Sequence, residues 1–537
     1  MTDGVSEVDA AAAKADRRRW WALVAMAASV LVVGLDLTVL NLALPTIATQ
    51  LHASTSDLQW FNDAYSLVLA AAILPAGRLG DRLGRKKVLL VSLALFGLSS
   101  AACSYAGNTG ELIAARAVLG IGAAAIFPMS LSVIPVLFRP EERQKAIALM
   151  AGSTMLSFPI GPIVGGYLLD HFWWGSVFLI NVPIVALALV AVVFLLPDSR
   201  SEQRPGLDPI GVVLSSAGLT ALTYGFISAG QNGWGDTSSL ATIAAGVGVL
   251  AVFTYWERRL RPGQQIVELR LFRSAGFTWG TVLTTLISFA MFGVFFAVPQ
   301  YFQEVRGVDA MGSGIRLLPM IGGMILGMLG GTRLASPRKT SSGTLPPLLG
   351  AKALIAIGFA IMAVGLGLGA TTTVTSGTGF AALWFVIAGL GMGMAMPQGM
   401  TIALGALTAE GSGSGSALIS AMRQVGATIG VAVLGTLLTS GYHDRLVTTG
   451  LPAALADTAR SSISGAVDVA HALRSTALLD NARTAFVHGM DIMLWAGGGI
   501  ALASAILAML FVPRLKSRPE QPVAAGETEA ERAGLPV

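Results

Sequence analysis

Residues 31–45 read LVVGLDLTVLNLALP, a run in which almost every side chain would dissolve in oil and one, Asp36, is a carboxylate. A charge at the centre of a bilayer costs at least about 2.5 kcal/mol, so either the run is not in lipid or Asp36 has a role there. Composition decides between the two. The 537-residue chain is 54% hydrophobic and 12% charged, with a mean hydropathy of +0.70, whereas a soluble domain carries about 25% charged residues. Apolar runs of about 20 residues, the length that crosses a bilayer, recur from Trp20 to Phe511. The main solvent of this chain is lipid, and Asp36 is a functional candidate by default.

Cutting the apolar runs at Gly, Pro and charge clusters gives fourteen helices, at 20–44, 57–77, 87–106, 111–137, 145–169, 175–196, 208–229, 239–257, 275–301, 312–334, 349–370, 379–405, 413–440 and 490–512. The fold expected is an all-α integral membrane protein. With both termini inside, most of the 35 Lys and Arg fall in inner loops and tails, the positive-inside signal. The five histidines (His52, His171, His443, His471 and His488) then lie outside, either as ordinary loop residues or as sensors of external pH. The net charge of +5 follows from topology and needs no nucleic acid. Cys103, a single cysteine, excludes an intrachain disulfide and any Cys-rich metal site.

The second helix leads into GRLGDRLGRKK (77–87) and the tenth into GTRLASPRKTSSG (331–343), a degraded echo. Internal repeats around a midplane site are typical of secondary transporters. The expected organisation is a cytoplasmic tail (1–18), a six-helix half (19–200), an inserted helix pair (201–262), a second, pseudo-symmetric half (263–515) and a disordered tail (516–537). Residues 441–489 form either an outer helical hairpin or a loop within the second half, and loops 197–207 and 336–347 are expected to be mobile.

In GRLGDRLGRKK, Gly77, Gly80 and Gly84 permit close approach and a tight reversal, while Asp81 stands among Arg78, Arg82, Arg85, Lys86 and Lys87. Bases alone would only anchor topology. A carboxylate near a helix N-terminus, with basic partners, can latch two helices on the cytoplasmic side, and the latch can open when they move apart. Arg116, inside LIAARAVLGIGAAA (112–125), needs an acid or carbonyls in the bundle interior. The glycines after it mimic a dinucleotide fingerprint, but they sit mid-span with no strand before them. Gly161, Pro162, Gly165 and Gly166 leave a thin, kinkable fifth helix. Asp63, flanked by Trp60 and Tyr65, is either an outer-vestibule acid that contacts a cationic substrate, with aromatic faces for the cation, or a hydrated interfacial group. Asn41 and Met396 complete the candidate substrate contacts, Met396 within a methionine-rich stretch (392–400) that suits a promiscuous pocket or plain helix packing. Arg423 and Gln424 fall near the inner part of the thirteenth helix, after a flexible-looking TAEGSGSGSA (408–417).

These motifs resemble the major facilitator superfamily. GRLGDRLGRKK is similar to its loop between helices two and three, LIAARAVLGIGAAA to its helix-four motif, and GPIVGGYL (161–168) to the helix-five motif of drug/proton antiporters. LDLTVLNLALP (35–45), LQWFNDAYSL (58–67), WGSVFLINVP (174–183) and YFQEVRG (301–307) resemble the fourteen-helix branch of those antiporters. The resemblance implies that Asp36 and Arg116 couple protons, that Gly77, Asp81, Arg82, Gly84, Arg85 and Lys86 form a cytoplasmic gate, and that the helix-five glycines seal the two halves against proton leak. A permanent Asp36–Arg116 salt bridge is the structural alternative.

The function expected is proton-coupled export of amphiphilic, cationic drugs or antibiotics across the inner (cytoplasmic) membrane by a monomer. It needs no cofactor or metal and is driven by the proton gradient. Its partners are small amphiphiles, protons and the bilayer. The alternatives are a dedicated exporter of one metabolite, lipid or self-made antibiotic, and a receptor on a transporter fold. No G-x-x-x-x-G-K-[ST] loop is present, which argues against direct ATP drive, and no nucleophile–base pair falls within the spans, which argues against an enzyme.

Overall fold

A chain in hydrocarbon must satisfy every backbone N–H and C=O internally, and the apolar runs accordingly fold as helices. The computed structural model describes residues 2–53, 55–198, 206, 208–261, 264–335, 338–340, 343–345, 348–407 and 412–513. The first half consists of α1 (Thr2–Gln50), α2 (Thr55–Leu83), α3 (Arg85–Ser104), α4 (Thr109–Leu137), α5 (Pro140–His171), the short α6 (Ser176–Leu179) and α7 (Asn181–Leu195). The pair α8 (Pro209–Asn232) and α9 (Thr237–Arg259) follows. The second half consists of α10 (Ala275–Gln300), α11 (Ala310–Ala335), α12 (Ala351–Gly369), α13 (Thr378–Gly405), α14 (Ser412–Arg445), α15 (Ala453–Ser461), α16 (Ile463–Ala472) and α17 (Thr476–Phe511).

Among the described residues, 12 helical segments are long and apolar enough to cross a membrane. Two further helices, α2 and α5, of 29 and 32 residues, run inside the same bundle. The packing pattern repeats. In the first half α2 and α3 pack on α4, and α1 on α5 and α7, with α3 on α7; in the second α11 and α12 pack on α13, and α10 on α14 and α17, with α12 on α17. The halves meet along α2–α14 and α5–α11. The first of these seams is covered by α8, whose Ser216 donates to Ala71 O at 2.7 Å and whose following Trp234 donates to Thr436 at 3.0 Å.

Two large apolar clusters are centred one in each half, the first also taking in Phe277, Met400 and Leu404 from the second half. Leu93, Phe96, Leu119 and Ile126 lie in the first, and Phe359, Met362, Phe385 and Met490 in the second. Helices in lipid associate by close packing rather than by hydrophobic exclusion, and α11 and α13 meet through reciprocal glycines. A Cβ on Gly389 or Gly393 would stand 2.0 Å from the carbonyl oxygens of Met320 and Met324.

Several expectations change. Helix α1 runs back to Thr2, into the expected tail, through a helix-favouring Ala10–Ala13 run. The last helix begins at Thr476 rather than 490. Before it, Tyr442 donates to Ala459 O at 2.8 Å and Ser464 to Glu304 at 2.7 Å, which holds α15 and α16 to the bundle. The all-α reading gains one small exception, an antiparallel hairpin of Arg338–Thr340 and Gly343–Leu345 in register Arg338↔Leu345. The disorder expected over 516–537 and much of the mobility expected over 197–207 and 336–347 concern residues outside those described.

Candidate functional site

The carboxylate of Asp36 is 2% exposed and the guanidinium of Arg116 fully buried, so each must find partners inside the protein. They find each other: Arg116 Nη1 donates to Asp36 Oδ2. Arg116 Nε also donates to Phe61 O at 2.9 Å, and the guanidinium lies over the ring of Tyr65, 4.6 Å from its centroid, with Phe178 at 5.9 Å. The other carboxylate oxygen accepts from Asn181 Nδ2 at 3.3 Å; the same nitrogen donates to Ser100 Oγ at 3.0 Å. Ser100 in turn donates to Phe178 O at 2.9 Å. Six helices of the first half, α1, α2, α3, α4, α6 and α7, thus converge on one charge pair. Sequence reasoning placed the pair but assigned no role to Asn181 or Ser100.

The other candidates separate. Tyr65 belongs to the Arg116 site and is 1% exposed, whereas Trp60 is 43% exposed. A helical spacing of five sets them roughly 140° apart around α2. Asp63, half-buried, accepts from Gln231 at the end of α8. The side chain of Asn41 lies outside the described residues. Met396 is 2% exposed and lines an apolar cavity of about 210 Å³ between α5, α11 and α13, together with Leu149, Met324, Ile325, Met328 and Met392. None of Asp63, Trp60 and Tyr65 borders it.

The GRLGDRLGRKK stretch folds as the end of α2, a reversal at Gly84 and the start of α3. Gly84 has φ +105°, which a side chain would strain. Gly77 serves close approach instead, since a Cβ there would lie 2.3 Å from that of Ala417 on α14. Asp81, 1% exposed, places its two oxygens on the N-terminus of α14, accepting from Gly413 N at 2.9 Å and Ser414 N at 2.8 Å. Arg85 donates to it at 3.2 Å. The partial positive charge of a helix N-terminus favours such a carboxylate. The flexible loop expected over 408–417 is corrected here: from Ser412 the chain is helix, capped by Asp81 (residues 408–411 are not among those described). Arg78 donates to Gly206 O at 3.3 Å and Lys86 to Val193 O at 2.8 Å, while Arg82 is half-buried.

The helix-five glycines set α5 against the helix that carries Asp36. A Cβ on Gly161 would overlap Thr38 Oγ1 at 1.9 Å, and one on Gly165 would meet Val39 Cγ1 at 2.9 Å. Thr38 donates to Ser157 O at 3.2 Å across the same contact. Pro162 stands within an unbroken α5, and a Cβ on Gly166 would meet Met311 of α11 only at ordinary contact distance, 3.6 Å.

Residues 26–431 match the Major Facilitator Superfamily. The chain is 34% identical to the tetracenomycin C resistance and export protein of Streptomyces glaucescens, over 92% of this chain and 91% of that one. It is 33% identical to the multidrug efflux pump LfrA of Mycolicibacterium smegmatis, over 92% and 94%. Its fold is similar to that of the solved proton:xylose symporter XylE, with a TM-score of 0.59, 14% identity and coverage of 93% and 97%. These are transporters, not enzymes. The chain belongs to the Major Facilitator Superfamily, in its drug-efflux branch, as a multi-pass protein of the cell membrane.

Proposed function

We propose that the protein is a proton-coupled antiporter that exports amphiphilic drugs or antibiotics, lipophilic cations among them, by alternating access. In this reading α2 and α5 join the 12 apolar segments as spans, both termini are cytoplasmic, and a monomer works without a cofactor. The observation that carries it is the way Arg116 is held. Removing a buried counter-charge is ordinarily costly, about 3–5 kcal/mol. Arg116 keeps the Phe61 carbonyl and two ring faces when Asp36 is neutralised, so a proton can replace the ion pair without leaving the guanidinium bare. Asp81 on the N-terminus of α14 supplies the second requirement, a reversible contact between halves at one end of the bundle.

The relatives named above include one named for a single compound and one for many drugs, so a dedicated exporter remains the alternative reading. A substrate panel in a host lacking its own pumps separates the two. The coupling itself is tested by adding drug to purified protein in weakly buffered solution with a pH dye. Antiport predicts proton release on drug binding, and release that does not depend on Asp36, or no release, contradicts it.

A further inference from the structure

Four arginines are buried among the described residues: Arg78, Arg85, Arg116 and Arg423. Three stand with acids. Arg116 pairs with Asp36 and Arg85 with Asp81, while Arg78 sits in the field of Asp81, Glu257 and Glu268. Arg423 has none. It is 8% exposed on α14, and its only hydrogen bond among the described residues runs from Nε to Ser288 Oγ on α10, at 3.3 Å. Its guanidinium lies over the Phe127 ring of α4, 4.8 Å from the centroid. Among the described residues it forms no ion pair. Because α4 belongs to the first half and α10 and α14 to the second, the cation sits where the halves face each other.

A desolvated guanidinium without a counter-charge is unfavourable, and a ring face returns only part of that cost. With Nε taken by Ser288, the edge formed by Nη1 and Nη2 is left to grip two oxygens, the fork geometry that suits carboxylate or phosphate. The flat Phe127 ring beside it offers an apolar surface to whatever carries those oxygens. We infer that Arg423 is an anion-recognition site on the transport path, one that takes the acidic oxygen group of an amphiphilic ring-bearing substrate. This rests on the export reading and extends it from lipophilic cations to acidic and zwitterionic compounds.

The test uses the full chain in detergent and one rhodamine dye in two forms, free carboxylate and ethyl ester, with binding read by fluorescence polarisation. Wild type binds both. Arg423→Gln weakens the carboxylate form by at least about tenfold and leaves the ester within about twofold. Arg423→Lys, which keeps the charge without the fork, recovers part of the loss. Phe127→Leu weakens both forms alike and keeps the preference for the carboxylate, which gives a second reading should Arg423→Gln fail to fold. No carboxylate binding by wild type, an equal loss of both forms in Arg423→Gln, or no loss in either overturns the assignment. Displacement of the carboxylate dye by equimolar phosphatidylglycerol assigns the site to lipid headgroups and overturns its role in substrate recognition; no displacement supports that role. Gradient-driven flux of the ester without an Arg423 effect sinks this inference and leaves export standing. Carboxylate binding through Arg423 with no flux of either dye does the reverse.

Discussion

The carboxylate of Asp81 accepts a hydrogen bond from the backbone N–H of Ser414 at 2.8 Å, across 333 residues of sequence and between the two halves of the bundle. With the matching bond from Gly413, it makes the end of α2 the cap of α14. A helix whose first turn is capped by the other half cannot move away from it without losing those bonds.

Asp81→Asn keeps an acceptor but removes the charge. Hydrogen bonds to a charged group contribute about 1.5–3 kcal/mol, so the ratio of capped to uncapped arrangements should fall by about tenfold or more. Spin labels on exposed Leu83 and Leu510, in a Cys103→Ser background, should report a second, longer distance. A distance distribution unchanged from wild type contradicts the latch.

The glycines should differ in tolerance by what their missing side chains would meet. Gly77→Ala sets a methyl 2.3 Å from Ala417 and 2.9 Å from Gly413 O, and Gly161→Ala sets one on Thr38. Both should express and lose most transport. Gly166→Ala meets only ordinary contact at 3.6 Å and should keep at least about half of it, since small added volume is tolerated where space exists. Drug-resistance titration in a pump-deficient host ranks the three; equal losses would refute the packing account.

The Asp36–Arg116 site should be asymmetric in stability. Arg116→Met removes the ion pair, the bond to Phe61 O and the ring contacts together, and should cost about 3–5 kcal/mol. Asp36→Asn leaves Arg116 with the Phe61 carbonyl and the Tyr65 and Phe178 rings and should cost clearly less. Thermal unfolding in detergent measures both, and an Asp36→Asn protein melting as low as Arg116→Met would show that the guanidinium depends on its counter-charge.

The parts of this molecule that follow from solvent were legible in the sequence. Apolar runs in lipid must be helices, and Asp36 and Arg116, each alone in such a run, needed polar partners in the bundle interior, a salt bridge between them being one of the readings. What depended on distant chain segments was not legible. GSGSGSA reads as a loop until Asp81, more than 300 residues earlier, supplies its cap. Asn181 reads as one polar residue within the 175–196 helix; only the packing of α7 on α1 brings it under Asp36. That Arg423 forms no ion pair among the described residues is likewise a fact of packing. Trp60 and Tyr65, grouped in the sequence reading, are set on different faces of α2 by helical spacing alone.

The central claim is that Asp36 carries the coupling proton. Purified protein in liposomes, given an imposed proton gradient and a fluorescent lipophilic cation, tests it most directly with wild type beside Asp36→Asn. The account predicts gradient-driven dye movement in wild type and none in a variant that still folds and binds dye. Equal movement in both would reduce Asp36 to a structural partner of Arg116 and contradict the account.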